Sequence, residues 1–187
     1  MRVNIRAEPV KVESNYVETS YIVTFVGDDR PGLVEQLSAE IEKSGGNWHE
    51  SRLSQLGGKF AGLIHVSLPA ANGDALAAQL QALSSGELNV RVTPTGVAQA
   101  AIPGRDIVLT VLGADRAGIV REISSALAQR HINVVEMDSE VSSAPMSAEM
   151  IFKARIQARI PETADMGDLS DSLDDIGNQM TLEIDLD

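Results

Sequence analysis

The sequence predicts an α+β protein made of two similar βαββαβ units in tandem. The first observation behind this prediction is a repeat, since "GDDRPGLVEQL" at 27–37 returns as "GADRAGIVREI" at 113–123. The second is that β-branched runs and helical stripes follow one another in the same order in both copies. The third is the length of 187 residues, which accommodates one domain or two small ones.

The repeat holds without a gap at a constant offset of 86 positions. Identical pairs at this offset are Thr24 and Thr110, Gly27 and Gly113, Asp29 and Asp115, Arg30 and Arg116, Gly32 and Gly118, Val34 and Val120, Ser38 and Ser124, Asn47 and Asn133, and Glu50 and Glu136. A unit of this length is too long for a solenoid repeat. We therefore expect each copy to fold as a small domain.

The first copy reads as strand, helix, two strands, helix and strand. "YIVTFVG" predicts the first strand, and apolar residues at helical spacing from Leu33 to Ile41 predict a helix facing a sheet. "NWHESRLSQL" and "FAGLIHVSL" predict two strands that meet at the Gly57-Gly58 turn. A stripe from Leu76 to Leu83 predicts the second helix, and "LNVRVTP" predicts the closing strand.

The second copy repeats this order. Its strands are "DIVLTVLG", "INVVEMDSEV", "MSAEMIFKARIQA" and "MTLEIDL", with helical stripes at 119–127 and 169–176. The order β-α-β-β-α-β predicts a ferredoxin-like unit, with four antiparallel strands, two helices on one face and the other face open. We expect an N-terminal extension at 1–19, a first domain at 20–96, a linker at 97–104 and a second domain at 105–187.

Charge and composition exclude several classes of protein. The net charge is −12, and residues 162–187 hold nine carboxylates without a lysine or arginine. Direct nucleic-acid binding needs a basic surface, so it is not expected. The acidic stretch is either a solvated helix face or a docking surface for a basic partner. The absence of cysteine, of a signal peptide and of a membrane-spanning apolar run predicts a cytoplasmic protein.

The repeated Gly-x-Asp-Arg-x-Gly segment lies between the first strand and first helix of each copy. Pro31 suits the first turn of a helix, whose free N–H groups and dipole attract an anion. Asp29 is predicted to cap this turn or to accept from an ammonium group, and Arg30 to pair with a carboxylate. This combination matches a zwitterionic amino acid. Asp, Pro and Gly also build ordinary turns, so a purely structural loop is the alternative.

No catalytic or metal-binding constellation is visible. His49, His65 and His131 lack the spacing of metal ligands and there is no cysteine, so neither a metal nor a cofactor is expected. No glycine-rich nucleotide loop or nucleophile context occurs, so the sequence predicts no enzyme. An RNA-recognition module is excluded because aromatic residues make up only 3% and the charge is negative.

The segments "GDDRPGLVEQLSAEIEKSGGNW" and "GADRAGIVREISSALAQRHINVVEM" resemble ACT domains, the regulatory modules of amino-acid metabolism, and the resemblance covers 20–187. Paired without a catalytic domain, they are similar to the glycine cleavage system transcriptional repressor family. The resemblance implies a cytoplasmic regulator that binds a small amino acid such as glycine or serine. It would control transcription through a protein partner, without contacting nucleic acid, and a homodimer is possible. The alternatives are an interaction scaffold or a regulatory subunit of an amino-acid metabolic enzyme, with no ligand of its own.

In ACT domains the ligand commonly lies between two modules, near the loop before the first helix and the start of the second strand. The resemblance places the candidate ligand-binding residues at Asp29, Arg30, Pro31, Gly32, Leu33, Asn47, Asp115, Arg116, Gly118, Ile119 and Asn133. Ala117 stands where the first copy has Pro31 and leaves the second turn less constrained. We therefore expect the first copy to be the stronger site.

Overall fold

The computed structural model describes residues 18–84, 87–95, 103–144 and 149–186. The chain divides into two compact units, Met1–Gln99 (unit 1) and Ala100–Asp187 (unit 2). The predicted N-terminal extension, apart from residues 18 and 19, and the predicted linker, apart from residues 103 and 104, lie outside the described residues.

Unit 1 contains a four-stranded antiparallel sheet, sheet 1, and two α-helices. Its elements are β1 (Glu18–Asp28), α1 (Leu33–Lys43), β2 (Asn47–Leu56), β3 (Lys59–Pro69), a 3-10 turn (Ala70–Asn72), α2 (Gly73–Ala82) and β4 (Leu88–Pro94). The strand order is β2-β3-β1-β4. Gly57 and Gly58 both have positive φ, which suits the predicted tight hairpin.

Unit 2 has the same arrangement. Its elements are β5 (Arg105–Ala114), α3 (Ile119–Gln129), β6 (Asn133–Ser143), β7 (Met150–Ile160), α4 (Met166–Met180) and β8 (Leu182–Leu186). The strands of this second sheet, sheet 2, follow the order β6-β7-β5-β8. The predicted fold class, two α+β ferredoxin-like units, is confirmed.

Each unit has its own core between its helices and one face of its sheet. In unit 1 the core includes the fully buried Leu37 of α1 and Ile64 of β3. In unit 2 it includes Ile123 of α3, Ile156 of β7 and Leu173 of α4. Residues on the other face of each sheet, the open face, alternate with these core residues along the strands.

The first helix of each unit ends in the same way. Gly46 donates its N–H to the carbonyl of Ile41 at 2.9 Å, and Ile132 donates to Leu127 at 3.0 Å. These six-to-one bonds form a Schellman motif, which requires a left-handed residue just after the helix. Gly45 fills that place in unit 1, with φ of 71°, whereas His131 fills it in unit 2, with φ of 58°.

Candidate ligand-binding loops

The repeated segment forms a loop at the same end of each sheet, residues 29–32 (first loop) and 115–118 (second loop). Asp29 donates its N–H to the carbonyl of Gly58 at 3.2 Å, and Asp115 donates to Met150 at 2.8 Å. These bonds hold each loop beside the start of the third strand of its unit. All residues of both loops are exposed.

A left-handed glycine ends each loop and sets the start of the helix. Gly32 has φ 88° and ψ −4°, and Gly118 has φ 89° and ψ −2°. These angles are those of the third residue of a type II turn, a position that favours glycine. The next residues, Leu33 and Ile119, are buried in the cores, so only their backbone atoms face the loops.

Two details of the sequence prediction are therefore wrong. Pro31 precedes Gly32 and lies outside α1, because the left-handed backbone at Gly32 cannot belong to the helix. Asp29 does not cap the helix, since Gly32 is the N-cap residue and the helix start has no side-chain cap hydrogen bond; the alternative role of Asp29, accepting from an ammonium group, stays a prediction. Proline instead occupies the second position of the turn, where its fixed φ is favourable.

The loop arginines have different partners in the two units. Arg30 donates to the amide oxygen of Gln36 at 3.2 Å. Arg116 donates to both carboxylate oxygens of Glu122, at 2.9 and 2.6 Å. The hydrogen bond from Arg116 lowers the pKa of the Glu122 carboxyl below its usual value. The charge of Arg116 is thus compensated by a carboxylate of α3, while the partner of Arg30 is neutral.

The structure does not bring the two asparagines to the loops of their own units. Asn47 lies opposite Ser67, which in turn lies opposite Ser20, eight positions before the end of β1 at Asp28. At about 3.3 Å per residue, Asn47 is about 26 Å from the loop end of the sheet. Asn133 lies at the corresponding place in unit 2, in register with Arg159. Both asparagines are exposed.

An open groove of about 700 Å³ adjoins the second loop, between α3 and α4. Gly118 and Glu122 line it at the loop end, and Ile176 and Met180 of α4 contribute apolar surface. Arg121 and Arg130 also line it. The groove therefore offers cationic side chains beside an apolar wall.

The acidic stretch is mostly helical and exposed. Its carboxylates from Glu162 to Asp175 all lie at the surface. Asp165 is the N-cap of α4 and accepts from the N–H groups of Gly167 and Asp168 at 2.7 and 3.2 Å. One of these carboxylates therefore has a structural role that the count of charges does not reveal.

Among the helices that the structure describes, none is long and apolar enough to cross a membrane.

The residues that distinguish the two loops, Gln36 and Glu122, are absent from the sequence-based site. Gln36 and Glu122 occupy matched positions of the repeat, so a comparison of the two copies shows that the residue type differs there. The contact needs the loop geometry, however, because each arginine reaches six residues along the chain to the first turn of the helix.

Comparison with known proteins defines the class. Two profiles of the ACT domain match the chain, one over residues 19–93 and the other over residues 107–164. The chain belongs to the ACT-domain family, and it carries two of these regulatory domains in tandem.

The relatives narrow the class further. The glycine cleavage system transcriptional repressor of Escherichia coli (strain K12) is 24% identical over 151 residues, 79% of this chain and 78% of that protein. A crystal structure of an unknown protein from Galdieria sulphuraria has a TM-score of 0.79 and 26% identity, and the match covers 91% of this chain and 98% of that one. A structure assigned provisionally to the same repressor has a TM-score of 0.71 at 20% identity, over 91% and 97% of the two chains. This chain is a distant relative of the glycine cleavage system transcriptional repressor.

Proposed function

We propose that this protein is a cytoplasmic, non-enzymatic regulator that responds to a small amino acid such as glycine or serine. It would control genes of amino-acid metabolism indirectly, through a protein partner. The relationship to the glycine cleavage system transcriptional repressor supports the regulatory role. The negative charge of −12 supports an indirect action, because it disfavours contact with DNA.

The observation that carries the ligand proposal is the difference between the two loop arginines. A guanidinium binds a carboxylate most strongly through two parallel hydrogen bonds. In unit 2 Glu122 already supplies such a carboxylate, while Gln36 leaves the charge of Arg30 for a ligand. The first loop, Asp29 to Gly32, is therefore the proposed site for the ligand carboxylate.

The distance between the first loop and Asn47 indicates how ligand binding would produce a regulatory signal. A small amino acid cannot contact both within one unit, because they lie at opposite ends of the sheet. An asparagine that contacts the ligand at the first loop would have to come from a second ACT module. Ligand binding would then favour the assembly in which two modules meet, and this population shift would be the regulatory signal.

Reciprocal substitutions test the proposal by calorimetry with glycine, serine, alanine and branched amino acids. Gln36→Glu should weaken amino-acid binding by roughly tenfold or more, because the new carboxylate pairs with Arg30 in place of the ligand. Glu122→Gln should add a second binding event in unit 2. Gln81→Glu, an exposed change of the same type on α2, is the matched control and should leave binding unchanged.

Two outcomes would contradict this function. The absence of binding for the whole amino-acid panel would exclude the ligand and favour an interaction scaffold or a regulatory subunit of an enzyme. Equal binding by Gln36→Glu and the unaltered chain would exclude the first loop as the site.

A further inference from the structure

We propose that the open face of sheet 1 carries a binding site for a divalent transition metal, formed by His49 and His65. The site is separate from the ligand loops. His65 lies opposite Ile22, six positions before the end of β1 at Asp28. This places it about 20 Å from the first loop along the sheet.

A β-bulge brings the two histidines together. The register of β2 against β3 shifts between Trp48 and Glu50, so His49 is the extra residue of the bulge. Such a bulge re-aims the side chains of the longer strand. His49 thereby lies beside His65, which is in register with Glu50 on the neighbouring strand.

The distance between the rings fits a shared metal ion. The centres of the His49 and His65 rings are 5.4 Å apart, with 38° between the ring planes. Zinc binds imidazole nitrogen at about 2.0–2.1 Å, which places the centre of each ring about 3.2 Å from the metal. A tetrahedral angle at the metal then separates the two ring centres by about 5.2 Å. Two adjacent positions of a square plane would need about 4.5 Å by the same geometry, so the separation of the rings fits the tetrahedral coordination typical of Zn²⁺ better.

Ser67 orients one of the proposed ligands. Its hydroxyl oxygen is 2.7 Å from Nε2 of His49, and the residue is only 8% exposed. In the tautomer in which Nε2–H donates to this hydroxyl, Nδ1 of His49 carries a lone pair that can bind a metal. Fixing a ligand histidine through its second nitrogen is the usual support for a metal site.

The metal would complete its coordination with water or an added ligand. Within the part of the chain that the structure describes, no three His, Asp or Glu side chains are grouped to hold one ion. Glu50 is nearest in register to His65, but its carboxylate pairs with Arg52 at 3.2 Å. Two imidazoles alone give a weaker site than a three-ligand centre, with open positions on the metal.

The sequence does not predict this site, because its two ligands are 16 residues apart and belong to different strands. Unit 2 provides an internal comparison. Its β6 has the same register shift between Val134 and Glu136, with Val135 as the extra residue and Gln157 opposite Glu136. The bulge is thus common to both units, whereas the metal-binding side chains occur in unit 1.

The test is a Zn²⁺ titration of the full chain by calorimetry in excess Mg²⁺, which occupies the exposed carboxylates. We expect one Zn²⁺ per chain and, with Co²⁺, the intense visible absorption of tetrahedral coordination. His49→Gln and His65→Gln should each abolish this binding. Ser67→Ala should weaken it by about tenfold. His131→Gly removes the remaining histidine at a position that suits glycine, so it is the control and should bind normally.

A variant that gains a metal site tests the proposal even if a histidine substitution in unit 1 impairs folding. Val135→His combined with Gln157→His should add a second Zn²⁺ in unit 2, at the equivalent bulge. Unchanged Zn²⁺ binding by His49→Gln or His65→Gln, octahedral Co²⁺ spectra, or no binding at all would each overturn the proposal.

Discussion

At the scale of single residues, Gly32 shows how one backbone conformation positions the candidate site. Its φ of 88° turns the chain from the first loop into α1. A Cβ atom added here would meet nothing within 4 Å, so the cost of a side chain comes from the backbone alone. Gly118 has the same conformation in unit 2.

Replacing Gly32 with alanine therefore isolates the cost of a left-handed backbone. We expect Gly32→Ala to lower the free energy of unfolding of unit 1 by about 1–2 kcal/mol. Gly32→Asn should lose less, because asparagine tolerates this conformation. Urea unfolding measures both. Equal stability of the alanine variant and the unaltered protein would show that the loop adopts another backbone conformation.

The Arg116–Glu122 pair predicts a response to acid. Because Arg116 lowers the pKa of the Glu122 carboxyl, the pair stabilises the fold above about pH 4.3, the usual pKa of glutamate, and this stability is lost as the pH falls through the lowered value. Glu122→Gln should therefore be less stable than the unaltered protein near neutral pH, and the difference should vanish in acid. Urea unfolding across this pH range measures it. The control Glu42→Gln, an exposed change on α1, should show no such convergence.

At the scale of elements, α4 illustrates a helix start that depends on one side chain. Asp165 accepts hydrogen bonds from two backbone N–H groups of the first turn. Asp165→Ala should cost about 1 kcal/mol of stability, while Asp165→Ser should retain most of it. Asp171→Ala, at an exposed position within the helix, is the control. Denaturant unfolding of the three variants measures the stability that the cap contributes. Equal losses of stability for Asp165→Ala and Asp171→Ala would contradict the capping role of Asp165.

The elements also show what the sequence can predict. β2 and β4 begin and end where their patterns place them, because alternating side chains and glycine turns are local signals. The stripe from Leu33 marks the start of α1 correctly, but Pro31 is wrongly assigned to its first turn because proline is compatible both with a helix and with the turn before it. The bulge at His49 and the contact of Arg30 with Gln36 depend on the register and approach of separate elements, which local patterns do not encode.

At the scale of the whole molecule, the duplicated chain contains two separate hydrophobic cores. We expect Leu37→Ala, at a fully buried position, to cost unit 1 about 2–5 kcal/mol. Hydrogen exchange should then accelerate within 18–95 and stay unchanged within 103–186. Leu173→Ala, at a buried position in the core of unit 2, should reverse this pattern. Faster exchange in both units after either change would show that they unfold together.

The different partners of the two loop arginines have a further consequence at the level of the gene. Codons for glutamine and glutamate can differ at the first base alone, so one base change turns Gln36 into glutamate or Glu122 into glutamine. A single point mutation in either copy would give both arginines the same kind of partner. If the first loop binds an amino acid as proposed, a duplicated gene of this kind can gain or lose that binding site in one mutational step while the scaffold stays intact.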